Sequence, residues 1–256
     1  MQDHNKNYNI MHLEFFQLTS PGDRRANQDA MVHIVNNDYA LFIVADGLGG
    51  HQAGEKASQF FCKGMLKYAK TYSKKMAQNP REIFLAWIND AIDEMRVLFA
   101  DDQLANGAYT TCAVLYLDEN LTVVAHCGDS RVYHMTPKEI LWRTRDHSIP
   151  QDLLDIGLIT EEELARHPEQ NQLTRSINVN KLHPIDINIL APINKDETFV
   201  LCSDGFWEYV KKEEFLQLAD LESNKTKLAK LVRLSIYRAM GKSDNVTAQT
   251  IRCRKR

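Results

Sequence analysis

The stretch 41-LFIVADGLGGH-51 decides how the chain is read. Residues 41–45 are an unbroken apolar run, which reads as a buried strand. The run stops at Asp46, and three of the next four residues are glycine. That pattern puts a carboxylate at a strand end, on a turn open enough for backbone carbonyls to approach a ligand. The stretch 198-TFVLCSDGFW-207 repeats it, with an apolar run entering Asp204-Gly205. A third acid, Asp244, stands just before a last strand in 241-GKSDNVTAQTI-251. Asp-Gly is a common turn pair, and one such pair alone is more often a turn than a ligand. Three acids at strand ends, far apart in sequence, together point to one site for a hard divalent cation.

Composition sets the outer limits. A chain of 256 residues is long for one domain, yet sandwich and α/β folds reach that length as single units. With 44% hydrophobic and 25% charged residues it can bury a sizeable core. A net charge of −3 argues against a nucleic-acid surface. The basic end 252-RCRKR-256 reads as a solvated terminus. The five cysteines include no C-x-x-C pair and sit mostly in apolar runs. They read as core residues in a reducing compartment, neither a disulfide framework nor a zinc site. No apolar stretch is long enough to span a membrane, and the polar N-terminus lacks a signal-peptide core. A cytoplasmic protein is expected.

Outward from Asp46, strands are expected over 11–18 and 31–35, with the turn 19-TSPGDRRANQDA-30 between them. From spacing alone, Arg24 and Arg25 beside Asp29 read as a surface ion pair. Residues 53–78 have helical spacing, and Asn79-Pro80 is an N-cap and first-turn proline for a second amphipathic helix. Closely spaced strands follow over 111–117, 121–127 and 131–135, arguing for antiparallel pairing. The segment 147–177 has weak periodicity, a Thr160/Glu163 capping box, and two prolines that break it up. It reads equally as a flap over a site or as a structural connection. Strands at 185–190, 199–202 and 246–251 bracket helices at 212–219 and 225–239. Antiparallel strand groups with separate helix pairs give an α+β protein, two sheets face to face with helices outside.

Eight motifs then stand in one order: 22-GDRRANQDA-30, 44-VADGLGGHQAGEKAS-58, 110-TTCAVLYL-117, 127-CGDSRVY-133, 145-RDHS-148, 162-EELARHPEQNQLTRSI-177, 203-SDGFWEYV-210 and 243-SDNVT-247. Together they resemble the metal-dependent Ser/Thr protein phosphatases, the PPM or type-2C family, and especially its compact bacterial members. The resemblance implies a four-layer α-β-β-α sandwich, a single catalytic domain over 1–256 with a flap at about 147–180, and a metal cluster at one end of the sheets. It implies that Asp46 bridges two Mn²⁺ or Mg²⁺ ions, with the Gly47 carbonyl on the first and Asp204 and Asp244 on the second. Asp29 acts near the metals through a water, and Asp129 with Asp204 holds a weaker third ion. Arg24 matches the phosphate-binding arginine, with Arg25 the competing choice. Glu55 and Ser58 are structural, and Arg131 is an internal ion-pair residue.

Oxygen-only ligands suit these cations, and two of them sharing a water can activate it for in-line attack on phosphorus. An arginine fork holds the remaining phosphoryl oxygens. No cysteine has the Cys-x5-Arg setting of a thiolate phosphatase, which agrees with direct attack by water. Four departures from the family pattern stand out. Leu48 replaces a histidine or methionine, so the leaving group takes its proton from water or another group, and His51 nearby reads as structural. Gln28 replaces a frequent glutamate, and Asn178 a frequent glycine. Glu208 stands where some relatives have an aspartate and is not counted as a ligand. The expected partner is a phosphorylated protein, the target of a Ser/Thr kinase, with no nucleic acid, no membrane and a monomeric state. The competing readings are a non-catalytic binding module of the same fold and a two-metal nuclease.

Overall fold

The computed structural model describes residues 13–49, 52–100, 102–180, 184–220 and 224–253. Its apolar runs are buried on both faces, which is why they lack the alternation of a half-solvated strand. In β3 (Ala40–Ala45), Leu41, Ile43 and Ala45 point to a layer of helices, while Ala40, Phe42 and Val44 meet the opposite sheet. In β11 (Thr198–Cys202), Val200 and Cys202 face helices and Phe199 and Leu201 face the other sheet. Two layers of helix and two of sheet follow from this double burial.

One five-stranded sheet contains β1 (Leu13–Ser20), β12 (Val246–Cys253), β11, β8 (Arg131–Met135) and β9 (Ile140–Arg143), in that order. The other contains β10 (Asp186–Leu190), β7 (Thr122–Cys127), β6 (Cys112–Leu117), β3 and β2 (Ala30–Val35). Every neighbouring pair is antiparallel. A two-residue ladder joins β4 (Gly47–Leu48) to β5 (Tyr109–Thr110).

Helices α1 (Gln52–Ser73) and α2 (Pro80–Leu98) cover the sheet that holds β3. The Asn79 side chain accepts from the Glu82 N–H at 3.4 Å, with Pro80 in the first turn, as the sequence predicts. The helix expected over 53–78 ends earlier, at Ser73. Beyond it the bonds tighten to i→i+3, such as Met76 N–H to Ser73 O, and this carries Met76 into the core while the apolar spacing continues. The two helices touch closely at Gly64, where a Cβ would lie 2.6 Å from the Ala91 carbonyl oxygen. One turn on, Trp87 Nε1 donates to the Met65 carbonyl at 2.9 Å. Gly64→Val is expected to lower stability by about 1–3 kcal/mol, the usual cost of overpacking, read as a drop in urea midpoint at unchanged slope.

The other sheet is covered by α5 (Asp204–Trp207), α6 (Lys212–Leu216) and α7 (Asn224–Arg238). The flap carries α3 (Ile149–Asp155) and α4 (Glu161–Leu164), and its Leu164 is buried in the same core cluster as these helices. Pro150 starts α3 from its first turn and does not break the segment. The capping box forms, with Thr160 N–H donating to Glu163 Oε2 at 2.7 Å. Strand β9 was not expected; the hairpin bond Thr136 N–H to Glu139 O makes it the short edge of its sheet. Arg252 also departs from the reading of a solvated terminus. It is 3% exposed, pairs with Glu14 and donates to the Asp220 carbonyl. All five cysteines are free thiols.

Candidate active site

Each predicted acid sits where an element ends, and neighbouring backbone holds each end. Asp46 closes β3. Its N–H donates to Thr111 Oγ1 at 2.9 Å, and its carbonyl accepts from Thr111 N–H at 2.8 Å and Thr110 Oγ1 at 3.0 Å. Gly47 follows in tight quarters, since a Cβ there would lie 2.1 Å from the Gly54 carbonyl. Gly54 in α1 is under the same constraint, with its own Cβ position 2.6 Å from the Gly47 oxygen. Two glycines therefore let the first turn of α1 close on the Asp46 loop.

Asp204 and Asp244 are brought together by the antiparallel pairing of β11 with β12, which registers Cys202 with Ala248. A Cβ on Gly205 would meet the Asn245 carbonyl at 2.3 Å, so the two loops touch. Gly205 N–H donates to Asp204 Oδ1 at 2.6 Å, and Asn245 N–H to Asp244 Oδ1 at 2.7 Å. Asp29 reaches across from the start of β2, accepting from Ser203 Oγ at 2.8 Å. Its other oxygen is buried without a hydrogen-bond partner. Asp129 occupies the β7–β8 turn. Trp207 Nε1 donates to its carbonyl at 2.9 Å, and the neighbouring Ser130 hydroxyl lies 2.7 Å from Thr111 Oγ1.

The electrostatics show how close these acids are. Burial, then repulsion from Asp29, pushes Asp46 well above the usual carboxylate range. Burial and Asp46 do the same to Asp204. Burial raises Asp29 to about 6, against the pull of hydrogen bonds from Thr247 and Ser203. Burial and Asp146 raise Asp129 to about 7. Half-buried Glu208, raised to about 8 by burial and then Asp129, borders the same cluster. Such a group cannot ionise together without countercharge. The donors are all oxygen, and one of them is an orphaned carboxylate oxygen, a set that fits hard divalent cations.

Arg24 extends over the cluster, its Nη2 donating to Asp244 Oδ2 at 2.7 Å. The ion pair read from spacing is thus made, but with an acid 220 residues away and not with Asp29. Arg25 is solvent-exposed. Gln28 Nε2 donates to the Gly49 carbonyl at 3.1 Å, a bond that an ionised glutamate could not make. Ser58 Oγ donates to the Gln28 carbonyl at 2.6 Å, a structural role as expected. Asn178 is buried, and its Nδ2 donates to the Ala108 carbonyl at 2.8 Å. His51 lies outside the described residues. Sequence reasoning overlooked Asn245. Its Oδ1 accepts from Gln28 N–H at 2.7 Å, and its Nδ2 donates to the carbonyls of Pro21 (3.0 Å) and Ala26 (2.9 Å). One amide thereby shapes the whole loop that presents Arg24 and Asp29. The only signal was its place after Asp244 in 243-SDNVT-247.

Known proteins resemble the chain over most of its length. Residues 22–234 match the family model described as protein phosphatase 2C. The chain is 31% identical over 245 residues to the serine/threonine phosphatase stp of Listeria welshimeri, covering 93% of this chain and 94% of that one. The crystal structure of serine/threonine phosphatase Stp1 from Staphylococcus aureus superposes with a TM-score of 0.76 at 29% identity, over 96% of each chain. The catalytic domain of PstP, solved with 2 manganese ions, has a TM-score of 0.78 over 95% of this chain and 99% of its own; at 24% identity the likeness is one of fold. The family match takes in Asp29, Asp46, Asp129 and Asp204, four of the five aspartates gathered at one end of the sandwich, and on it the chain belongs to the protein phosphatase 2C family.

Proposed function

We propose that the acid cluster holds two Mn²⁺ or Mg²⁺ ions and that the chain is a metal-dependent protein phosphatase hydrolysing phosphoserine and phosphothreonine. The observation that carries this is the set of buried carboxylates, raised by burial and by one another, whose one direct ion pair among the described residues is that of Arg24 with Asp244. Asp46 and the Gly47 carbonyl, with Asp204 and Asp244, would hold the ions. Asp29 assists through its unpartnered oxygen, and Asp129 serves a third ion. Bound there, the cations supply Lewis acidity and bring the pKa of water toward neutrality.

The chain's own residues do the remaining work. Arg24 presents a fork that matches two phosphoryl oxygens, and exchanging Asp244 for phosphate keeps the guanidinium paired throughout. Thr110 and Thr111 hold Asp46 from the backbone side, so its carboxylate is placed before substrate arrives. No thiol competes as nucleophile: burial pushes Cys62 up to about 12 and Cys112 well above its ordinary value. Leu48 supplies no acid, so the leaving alkoxide takes its proton from water or another group.

The chain acts as a single catalytic domain and monomer in the cytoplasm, on proteins phosphorylated by a Ser/Thr kinase. Among the described residues no helix is long and apolar enough to cross a membrane. The test is hydrolysis of a phosphothreonine peptide in EDTA, then with Mn²⁺ or Mg²⁺ restored. Activity is expected only with metal, and Arg24→Ala is expected to lower kcat/KM by about 10²-fold, as for loss of one charge-stabilising donor. A folded protein that hydrolyses nothing with either ion would overturn the reading.

A further inference from the structure

Outside the acid cluster, the described residues hold one other gathering of ligand-type side chains: His126, His147 and Asp186. Its composition suggests a metal, but its hydrogen bonds do not. His147 Nδ1 accepts from Gly128 N–H at 3.1 Å, which leaves the ring proton on Nε2. That Nε2 faces Asp186 Oδ2 at 3.2 Å. Arg175 Nη1 lies 3.1 Å from Asp186 Oδ1 and 3.3 Å from the same Nε2, where a cation would have to sit. His126 lies flat against His147, ring centroids 4.7 Å apart, and donates Nε2–H to the Arg145 carbonyl at 2.7 Å. The cluster is a hydrogen-bond relay, and it ends on a backbone turn.

That turn carries Asp129. Gly128 has φ of +96°, and a Cβ there would lie 2.6 Å from the Thr111 methyl, so this turn requires glycine. Both backbone polar groups of Gly128 are held by one residue. Its N–H goes to His147 Nδ1, and its carbonyl accepts from His147 N–H at 2.9 Å. On its far side His147 is fastened to the end of the flap, where Thr174 N–H donates to its carbonyl at 2.8 Å and Arg175 pairs with Asp186. Two residues on, Ile177 and Thr110 exchange bonds of 2.9 and 2.7 Å, beside the β4–β5 ladder that contains Gly47.

We infer that His147 is a positioning residue for Asp129, aiming the Asp129 carboxylate into the cation site and linking that aim to the end of the flap. This rests on the metal-dependent phosphatase reading. The distinguishing feature is that His147 acts through Asp129 and through the acceptor on Nδ1.

The experiment measures Mn²⁺ binding by calorimetry and by loss of the free Mn²⁺ resonance signal, alongside kcat on a phosphothreonine peptide. His147→Ala is expected to weaken the Asp129-dependent Mn²⁺ by about 10- to 100-fold, with a parallel fall in kcat. His147→Asn, whose Oδ1 can take the place of Nδ1, is expected to recover most of both. In an Asp129→Ala background His147→Ala is expected to change neither. Asp186→Ala, at a half-exposed site that leaves the core filled, is expected to move binding in the same direction, again only when Asp129 is present. An equal loss with and without Asp129, or His147→Asn behaving as His147→Ala, would overturn the proposal. Wild-type protein that binds Mn²⁺ but hydrolyses nothing would sink the phosphatase reading instead, while the binding data would still report on the His147–Asp129 coupling.

Discussion

Asp204→Asn is expected to lower metal-dependent phosphatase activity by about 10³-fold or more and, in EDTA, to raise the melting temperature. The activity loss follows from removing a carboxylate that would hold the second ion; 10³-fold corresponds to about 4 kcal/mol of transition-state stabilisation. The gain in stability follows from the same charge. Burial and Asp46 hold Asp204 far above its ordinary pKa, so the ionised form is unfavourable in the metal-free fold. An amide of the same shape removes that repulsion. A single substitution that kills activity and stabilises the metal-free protein separates a functional role from a structural one. Lower stability of the variant in EDTA would contradict the electrostatic account.

The same repulsion gives a pH dependence of known sign. Asp29, Asp129 and Glu208 have folded-state pKa values of about 6, 7 and 8, above those of the free side chains. Between roughly pH 4 and 8 the folded chain binds more protons than the unfolded chain, so metal-free stability falls as pH rises. Bound Mn²⁺ competes with those protons and is expected to reverse the slope. Melts in EDTA and in Mn²⁺ across that range check both statements.

The second large effect is expected at Arg131. Its guanidinium is 2% exposed and forks onto Asp146 at 2.8 and 2.5 Å. It also donates to Tyr133 Oη at 2.8 Å and to Glu161 Oε1 at 2.9 Å, and lies 3.4 Å from the centre of the Trp207 ring. This is the internal ion-pair role read from the motif, now with its partners. Arg131→Ala leaves the buried Asp146 with the looser pairing of Arg143 Nη1 at 3.6 Å, and is expected to cost about 3–5 kcal/mol, read from urea unfolding. The double variant Arg131→Met/Asp146→Leu is expected to recover a good part of that, because the cost lies in a buried carboxylate that has lost its bidentate partner. Trp207 also donates to the Asp129 carbonyl, so Arg131→Ala is expected to weaken metal binding in whatever protein remains folded.

By itself the sequence determined the layers and the acids. Strands buried on both faces have to be written as continuous apolar runs, and 41–45 and 199–202 are such runs in the sequence and in the fold. Asp46 and Asp204 were legible because a charge that ends an apolar run marks the point where a strand leaves the core. The Asn79 cap and the Thr160/Glu163 box were legible because each is completed within one helical turn. Only the tertiary structure decided which distant groups meet. Arg24 pairs with Asp244, Asn245 shapes the loop of residues 21–28, and His147 holds Gly128. Arg252 joins Glu14. These depend on side chains reaching backbone or charge far along the chain, a contact with no period and no local partner in sequence. The pairing of β11 with β12 and the close approach of Gly205 to Asn245 are what bring Asp204 and Asp244 into one site.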